Sequence, residues 1–261
     1  MSRPQAAWEP PQFFVKSVAI VAFLGLWELL PRLGWVSRSF LPPFSEVVRY
    51  LAGSLASGDL TRHILISLGR SAAGFSLALL VALPLGFLLG WFSGFERYVD
   101  PLLQLFRQTS AFALFPLFIL LLGIGETSKV AIIFYGAQWP ILLNTISGVK
   151  NVDPLLVKSA RSMGVGHFDL FRKVVLPAAL PTIFTGLRLA ASFSILIIVA
   201  AETMGASAGL GYVLTNSQYN FDLPRMYAAI VTLALIGLGT NYLLVWLERR
   251  LTGWKQDILP N

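Results

Sequence analysis

The polar residues of this sequence that could carry function lie between residues 150 and 173, a charged stretch set between two long apolar runs. Pro154 suits the first turn of a helix, and Gly164 suits a C-terminal turn in which φ is positive. Asp169 favours the start of a second short helix, and Pro177 is expected to end that helix before the next apolar run. The stretch therefore predicts a helix, a turn and a second helix, an ordered surface for a soluble partner.

Other kinds of chemistry are disfavoured by the residues present. The chain has no cysteine, which excludes disulfides and thiolate metal sites. Its two histidines, His63 and His167, fall on opposite sides of the predicted membrane topology, so we expect no metal site. No Gly-x-x-x-x-Gly-Lys-Ser/Thr phosphate loop occurs, so ATP would have to be bound by another polypeptide. We expect no catalytic residue in this chain.

The composition indicates a membrane protein. Of the 261 residues, 56% are hydrophobic and only 13% are charged. Several apolar runs reach the roughly 20 residues that cross a hydrocarbon core of about 30 Å. The runs are continuous, whereas a transmembrane barrel shows alternating segments of about ten residues. We therefore predict an all-α, polytopic membrane helix bundle with about six transmembrane helices, at residues 14–31, 67–92, 101–123, 129–148, 179–203 and 225–247.

The positive charges indicate the orientation of these spans. With six spans, both termini share one side of the membrane with the loops at 93–100 and 149–178. That side carries eleven Lys and Arg residues: Arg3, Lys16, Arg97, Lys150, Lys158, Arg161, Arg172, Lys173, Arg249, Arg250 and Lys255. The opposite side carries six: Arg32, Arg38, Arg49, Arg62, Lys129 and Arg225. The positive-inside rule places both termini and the 149–178 loop in the cytoplasm, so the net charge of +7 reflects topology, not nucleic-acid binding.

Two segments outside the spans are also predicted to be structured. In the external segment 32–66, Ser45 is expected to cap a short helix through Tyr50 to Leu55. Residues 205–223 are too polar to span and too apolar for a free loop, which predicts a short amphipathic or re-entrant element. We divide the chain into 1–66 (leader, first span and external segment), 67–250 (transmembrane domain, with the polar loop at 150–178) and 251–261 (cytoplasmic tail).

The polar loop resembles a motif of one transporter family. Its residues Lys158-Ser159-Ala160, then Gly164, then Val174-x-Leu176-Pro177 have the spacing of the EAA loop of binding-protein-dependent ATP-binding-cassette permeases. In that family the loop forms a coupling helix that seats in the ATPase subunit. The chain departs from the motif at its first two positions, with Lys in place of Glu and Ser in place of Ala. The resemblance implies that ATPase coupling involves Lys158, Ser159, Ala160, Arg161, Ser162, Met163, Gly164, Val165, Gly166 and His167.

The resemblance extends over most of the chain and favours one subfamily. Residues 114–129 and 201–212 look like the corresponding segments of the sulfonate, nitrate and taurine class of these permeases. One departure is Ser110, where relatives often have proline. The resemblance implies a bacterial inner-membrane permease, paired with a second permease copy, an external or periplasmic solute-binding protein and ATPase subunits that bind ATP and Mg. It also implies a small anionic solute, whose selection rests largely with the binding protein.

Polar residues within the spans are candidates for the translocation path. Arg107 and Gln108 lie early in the third span, Gln138 and Asn144 in the fourth, and Ser192 and Ser194 in the fifth. Arg107 would suit an anion path, or it is a structural or snorkelling arginine. The neutral side chains are equally suited to lining a path and to forming hydrogen bonds between helices. We expect Glu202 to make a structural hydrogen bond, since an anion path disfavours an exposed glutamate.

Two other function classes fit the sequence less well. An ion-coupled secondary transporter usually has internal repeats and carboxylates near the bilayer midplane. Here Glu28 and Glu202, both near outer ends, are the only acids within the predicted spans, and no inverted repeat is evident. A membrane enzyme would need a nucleophile and base or paired carboxylates that converge, and the spans contain no such grouping. Co-purification of a soluble ATPase would separate the importer from both alternatives.

Overall fold

The computed structural model describes residues 12–252, with side chains from residue 18 onward. This part of the chain is helical, and no strand occurs within it. Eleven α-helices follow one another: α1 Gln12–Arg32, α2 Phe44–Ala56, α3 Asp59–Trp91, α4 Ser93–Gln108, α5 Ala111–Leu122, α6 Glu126–Lys150, α7 Pro154–Ser162, α8 His167–Leu170, α9 Leu176–Thr203, α10 Leu210–Tyr219 and α11 Leu223–Leu251. A π-helical segment, Phe171–Val175, joins α8 to α9. The predicted all-α class is confirmed.

Four segments of the described chain are long and apolar enough to cross a membrane: α3, α6, the continuous helix His167–Thr203 and α11. The α4–α5 pair adds a fifth if it is counted as one bent span. These segments contain the predicted spans 129–148, 179–203 and 225–247, and all but the last residue of the predicted span 67–92. Helix α1 covers the predicted first span, and the count of six stays a prediction. Arg3, Lys255 and residues 253–261 of the predicted tail lie outside the described residues.

The third predicted span, 101–123, is wrong as a continuous helix. Helices α4 and α5 meet at an angle of 91°. The break falls at Thr109 and Ser110, whose backbones are extended with ψ of 124° and 126°. Helix α4 buries none of its residues, and the 12 residues of α5 extend only about 18 Å, well short of a hydrocarbon core of about 30 Å. The polar sequence around Arg107 therefore separates a surface helix from a short apolar one.

Helix α6 lies at the centre of the bundle, between α3 and α9, and glycines permit the close approach. A Cβ atom added at Gly74 of α3 would lie 2.6 Å from the Cβ of Ile133 on α6. One added at Gly86 would lie 2.6 Å from the Cβ of Thr145. Cβ atoms in proteins do not come this close to other atoms, so glycine is required at these contacts. Glycines of α3 therefore allow α3 and α6 to pack closely.

The external segment forms helix α2, but Ser45 does not cap it. The helix begins after Pro43, and no side chain of its own caps it. Ser45 lies inside the first turn, where its N–H and Oγ donate to the carboxylate of Glu28 on α1, at 2.9 and 2.8 Å. The cap is therefore supplied by a neighbouring helix, which sequence-local reasoning does not detect. Residues 205–223 contain helix α10, as predicted.

We expect Gly86→Val to destabilise the bundle, because the new side chain must displace Thr145 or separate α3 from α6. Overpacking of this kind costs typically about 1–3 kcal/mol. The matched control is Gly237→Val in α11, where no heavy atom lies within 4 Å of the added Cβ. Thermal unfolding in detergent should show a lower midpoint for the Gly86 variant than for the control. Equal midpoints would contradict the proposed contact.

Candidate functional site

The start of the polar loop has the structure that its sequence predicts. Pro154 occupies the first turn of α7, and the carboxylate of Asp153 accepts a hydrogen bond from the Leu155 N–H at 2.7 Å. The helix ends at Ser162, and Gly164 adopts a φ of 78° in the turn that follows. The predicted helix and its glycine turn are confirmed. We call residues 154–168, which contain the predicted coupling residues, the coupling protrusion.

The second half of the loop differs from the prediction. Pro177 was expected to end a separate short helix, yet α8, the π-helical segment and α9 form one continuous helix, His167–Thr203. In the π-helical segment the Leu176 N–H donates to the Phe171 carbonyl, five residues back. Pro177 lies just inside α9, directly after this wider turn, where its missing N–H and its ring are accommodated. The protrusion therefore continues directly into a membrane-crossing helix.

The surface of the coupling protrusion is unusually apolar for an exposed polar loop. Leu155, Met163 and Phe168 are 68%, 82% and 74% exposed. Ala160 is the buried member of the motif. Val165 is half-buried, and the other predicted coupling residues are exposed: Lys158, Ser159, Arg161, Ser162, Met163, Gly164, Gly166 and His167. Exposed large apolar side chains with polar neighbours are typical of protein interaction sites.

Aromatic contacts attach the base of the protrusion to α3. Phe171 packs edge-on against Phe87 and Trp91, with ring centroids 5.4 and 5.5 Å apart. Beside these rings a cavity of about 690 Å³ is lined by Trp91 and by residues of the protrusion that include Lys158 and Arg161. Movement of the protrusion relative to α3 would have to disturb these contacts.

A second cavity lies where α4 and α5 meet, against α6 and α9. We call it the path cavity. It has a volume of about 460 Å³, and two predicted path residues, Arg107 and Asn144, line it. Tyr135, which also lines it, donates from its hydroxyl to the Phe106 carbonyl at 2.6 Å and so fixes the end of α4 beside α6. The bend that contradicts the predicted third span is therefore the feature that forms this cavity.

The other four predicted path residues do not line the path cavity. Gln108 is exposed and Gln138 is half-buried. Ser192 is exposed and donates to the Arg188 carbonyl at 3.1 Å. Ser194 is buried, donates to the Ala190 carbonyl at 2.8 Å and lines a separate cavity of about 210 Å³ between α3, α9 and α11. Their assignment to a path stays a prediction.

Sequence reasoning missed Arg70, which organises the other end of α3. Its side chain is 8% exposed and contacts two carboxylates: Glu202 of α9, at 2.8 Å, and Glu126 at the start of α6. It also donates to the Ala208 carbonyl at 2.7 Å. The sequence contained an indication of this role: Arg70 is a charged residue inside an apolar run, and such a residue requires a partner of opposite charge or a polar cavity. Arg70, Glu126 and Glu202 are called the Arg70 cluster.

Glu202 has the structural role that the sequence predicted. It is 1% exposed and accepts hydrogen bonds from Ser67 Oγ at 2.8 Å and from the Gly211 N–H at 2.9 Å. Gly209 donates its N–H to His63 Nδ1 at 3.0 Å. These contacts hold the start of α10 against α3. His63 thus has a structural partner, and the described residues contain no group of His, Cys, Asp or Glu that could hold a metal ion.

Comparison with known proteins identifies the family. Residues 63–253 match the family described as "Binding-protein-dependent transport system inner membrane component". The chain belongs to this family. It is 36% identical over 234 residues, 90% of its own length and 85% of the relative's, to the putative aliphatic sulfonates transport permease protein SsuC of Bacillus subtilis (strain 168). It is 31% identical over 244 residues to the taurine transport system permease protein TauC of Escherichia coli (strain K12), covering 92% of this chain and 89% of TauC.

The fold of this transport-system membrane component has also been seen in solved structures. An inward-facing structure of the MetNI methionine ABC transporter superposes with a TM-score of 0.66 at 21% identity, covering 74% of this chain and 96% of that one. The resemblance drawn from the loop motif is confirmed, and the chain is a multi-pass membrane permease of the ATP-binding-cassette importer type. The family is that of a non-enzymatic membrane component.

We expect Arg70→Met to destabilise the folded permease strongly, because it leaves Glu202 buried without its cation. Removing one partner of a buried ion pair typically costs about 3–5 kcal/mol. The control is Arg225→Met, which removes a more exposed pair with Asp59 and should cost about 1 kcal/mol or less. The measurement is the thermal midpoint of each purified variant. Equal losses would show that the Arg70 cluster does not stabilise the bundle.

Proposed function

We propose that the coupling protrusion receives a separate ATPase subunit, and that ATP and Mg are bound by that subunit alone. The observation that carries this proposal is the continuity of His167–Thr203, which connects the exposed protrusion to a membrane-crossing helix without a break. A force on Phe168 or Met163 would act on α9 through the π-helical segment. It would also act on α3 through Phe171. ATPase closure could then change which side of the membrane the path faces.

The proposed solute is a small anion, of the kind that sulfonate or taurine permeases carry. The names of the relatives support this class. An external binding protein would deliver the solute, and the path would involve Arg107, Gln108, Gln138, Asn144, Ser192 and Ser194. Both termini and the protrusion would lie in the cytoplasm, in a bacterial inner membrane, as the distribution of Lys and Arg predicts.

We further propose that the working unit contains a second copy of this permease. Helix α5 is too short to span a membrane alone. It begins at the path cavity, and it leaves Leu117, Leu120 and Leu121 exposed, at 48%, 81% and 70%. A second copy placed against α5 would cover these side chains. It would also complete the wall of a path that one copy forms only in part.

Met163→Asp tests the docking role of the protrusion. The side chain is 82% exposed, so folding should be unaffected, but a charge at an apolar contact should weaken ATPase binding about tenfold or more, which corresponds to about 1.4 kcal/mol. The control is Tyr219→Asp, at a residue 79% exposed on α10, on the side predicted to be external. We expect the ATPase to be lost from the tagged Met163 variant and retained by the control. Full retention by both variants, with normal ATP-dependent uptake, would exclude docking at this surface.

The orientation is tested by cysteine labelling, since the chain contains no cysteine to give background. Ser162→Cys in the protrusion and Tyr219→Cys on α10 introduce one exposed thiol each. A membrane-impermeant maleimide should label Cys at 219 in intact cells stripped of their outer membrane, and Cys at 162 only after lysis. Labelling of position 162 from outside would overturn the proposed topology and the coupling role with it.

A further inference from the structure

From two adjoining cavities at the base of the coupling protrusion we infer a binding site for an anionic phospholipid. The phosphate would lie in the cavity of about 690 Å³ described above, which we call the headgroup cavity. One acyl chain would lie in an apolar cavity beside it, which we call the acyl groove. This inference rests on the proposed function, because the proposed topology places both cavities at the cytoplasmic leaflet. It goes beyond that function, because the ligand is a component of the membrane and not the transported solute.

The headgroup cavity is basic. Three cations line it, Lys150, Lys158 and Arg161, and no carboxylate occurs among the described residues of its lining. Lys150 is neutralised by Glu96, at 2.7 Å. Within residues 18–252, whose side chains the structure describes, neither Lys158 nor Arg161 forms an ion pair. Two positive charges therefore remain at the cavity, and they attract an anion.

The two cations without an ion pair lie on one face of α7. Lys158 and Arg161 are three residues apart, the spacing at which helical side chains are neighbours. Like charges at such a spacing repel each other, and a phosphate bound between them would remove that repulsion. Lys158 is also the position at which the chain has Lys where the family motif has Glu. With the motif's residue, the charges of this pair would cancel, so the basic character of the cavity is a feature of this chain.

The acyl groove is apolar and runs along α3. It has a volume of about 460 Å³, and apart from His167 the described residues that line it are aromatic or aliphatic. From Trp91 back to Pro84 its lining follows α3 for about 10 Å. Leu88 and Phe92 are 43% and 54% exposed there. Trp91, Phe92 and His167 line both cavities, so the groove begins where the headgroup cavity ends.

The order of the two cavities matches the order of the parts of a lipid in a leaflet. The headgroup cavity lies where two membrane-crossing helices end, α3 at Trp91 and α6 at Lys150. The acyl groove runs from that level toward the apolar middle of α3. Tryptophan is enriched at the membrane–water interface, and basic pockets between transmembrane helices on the cytoplasmic side bind anionic headgroups. A soluble phosphate would use only the first cavity, so the pair of cavities favours a lipid.

A lipid bound at this site would contact both the coupling protrusion and α3. Its phosphate would lie against α7 at Lys158 and Arg161, and its chain against α3 at Leu88. These are the two elements whose relative position the Phe171 contacts also fix. The site would therefore make the position of the protrusion depend on the anionic lipid content of the membrane.

The test is native mass spectrometry of the purified permease–ATPase complex in detergent. The complex is titrated with phosphatidylglycerol or with phosphatidylcholine of the same acyl chains. We expect phosphatidylglycerol to bind about tenfold or more tightly than phosphatidylcholine, because only its headgroup is anionic. The double variant Lys158→Gln/Arg161→Gln should lose most of this difference, and Lys158→Glu should weaken phosphatidylglycerol about tenfold or more.

The control for charge is the double variant Arg249→Gln/Arg250→Gln. It removes two cations from the last turn of α11, on the side predicted to be cytoplasmic and outside both linings. We expect phosphatidylglycerol binding to change little. Equal losses in the two double variants would show general attraction of the lipid to a basic surface and would overturn the site.

The acyl groove is tested by Leu88→Trp, which fills it with a larger side chain at an exposed position. The matched control is Leu80→Trp, at a residue 70% exposed on the same helix and outside both linings. Phosphatidylglycerol should bind more weakly to the Leu88 variant than to the control. Inorganic phosphate, used as a competitor, should displace the lipid poorly. Equal binding to the two variants, or efficient displacement by phosphate, would identify a soluble phosphate as the occupant and exclude the lipid.

Failure of this inference is distinguishable from failure of the proposed function, because the mass spectrum reports both. The mass of the wild-type ions shows whether the ATPase is retained, and absence of the ATPase would contradict the proposed function. The added lipid mass is counted on permease ions with and without the ATPase. If ions that carry the ATPase bind no phosphatidylglycerol in a Lys158-dependent way, the ATPase itself fills the cavity and only the lipid site is excluded.

Discussion

The structure depends on how closely α6 approaches both of its neighbours. On one side, glycines of α3 leave room for Ile133 and Thr145. On the other side, a Cβ added at Gly186 of α9 would lie only 2.6 Å from the Cβ of Asn144. In a bilayer there is little hydrophobic driving force between helices, so close packing of this kind supplies much of the association energy. The three-helix unit α3–α6–α9 exists because glycine occupies the contact points.

Two further sets of contacts join the ends of this unit. Arg70 of α3 and Glu202 of α9 form a buried ion pair near one end, and Phe171 packs against Phe87 and Trp91 near the other. A pair of helices fixed at both ends moves as one body, because separation at either end would expose a buried charge or aromatic rings. The coupling protrusion is continuous with this body at His167. The arrangement suits a permease whose long helices respond together to a partner.

Helix α4 does not share these restraints. It is joined to α6 by the partly exposed Lys150–Glu96 ion pair and by Tyr135, and it buries no residue of its own. Partly exposed ion pairs contribute little to stability, so α4 is held less firmly than α5, whose Phe115 is buried in a core cluster with residues of α6 and α9. The path cavity lies where α4 meets these more firmly packed helices. A change in the position of α4 relative to α6 would change the access to Arg107.

The sequence by itself determined the membrane class, the family and most helix positions, because length, apolar composition and turn residues act locally. Gly164 in a positive-φ turn and Pro154 at a helix start are examples, and each is visible in the residue itself. Only the tertiary structure decided that Glu28 caps α2, that Pro177 lies within a continuous helix and that the third span bends at Thr109. It also decided that Arg70 joins Glu126 to Glu202. These outcomes depend on partners distant in sequence or on a change of hydrogen-bond pattern, and neither is encoded in the local periodicity of the chain.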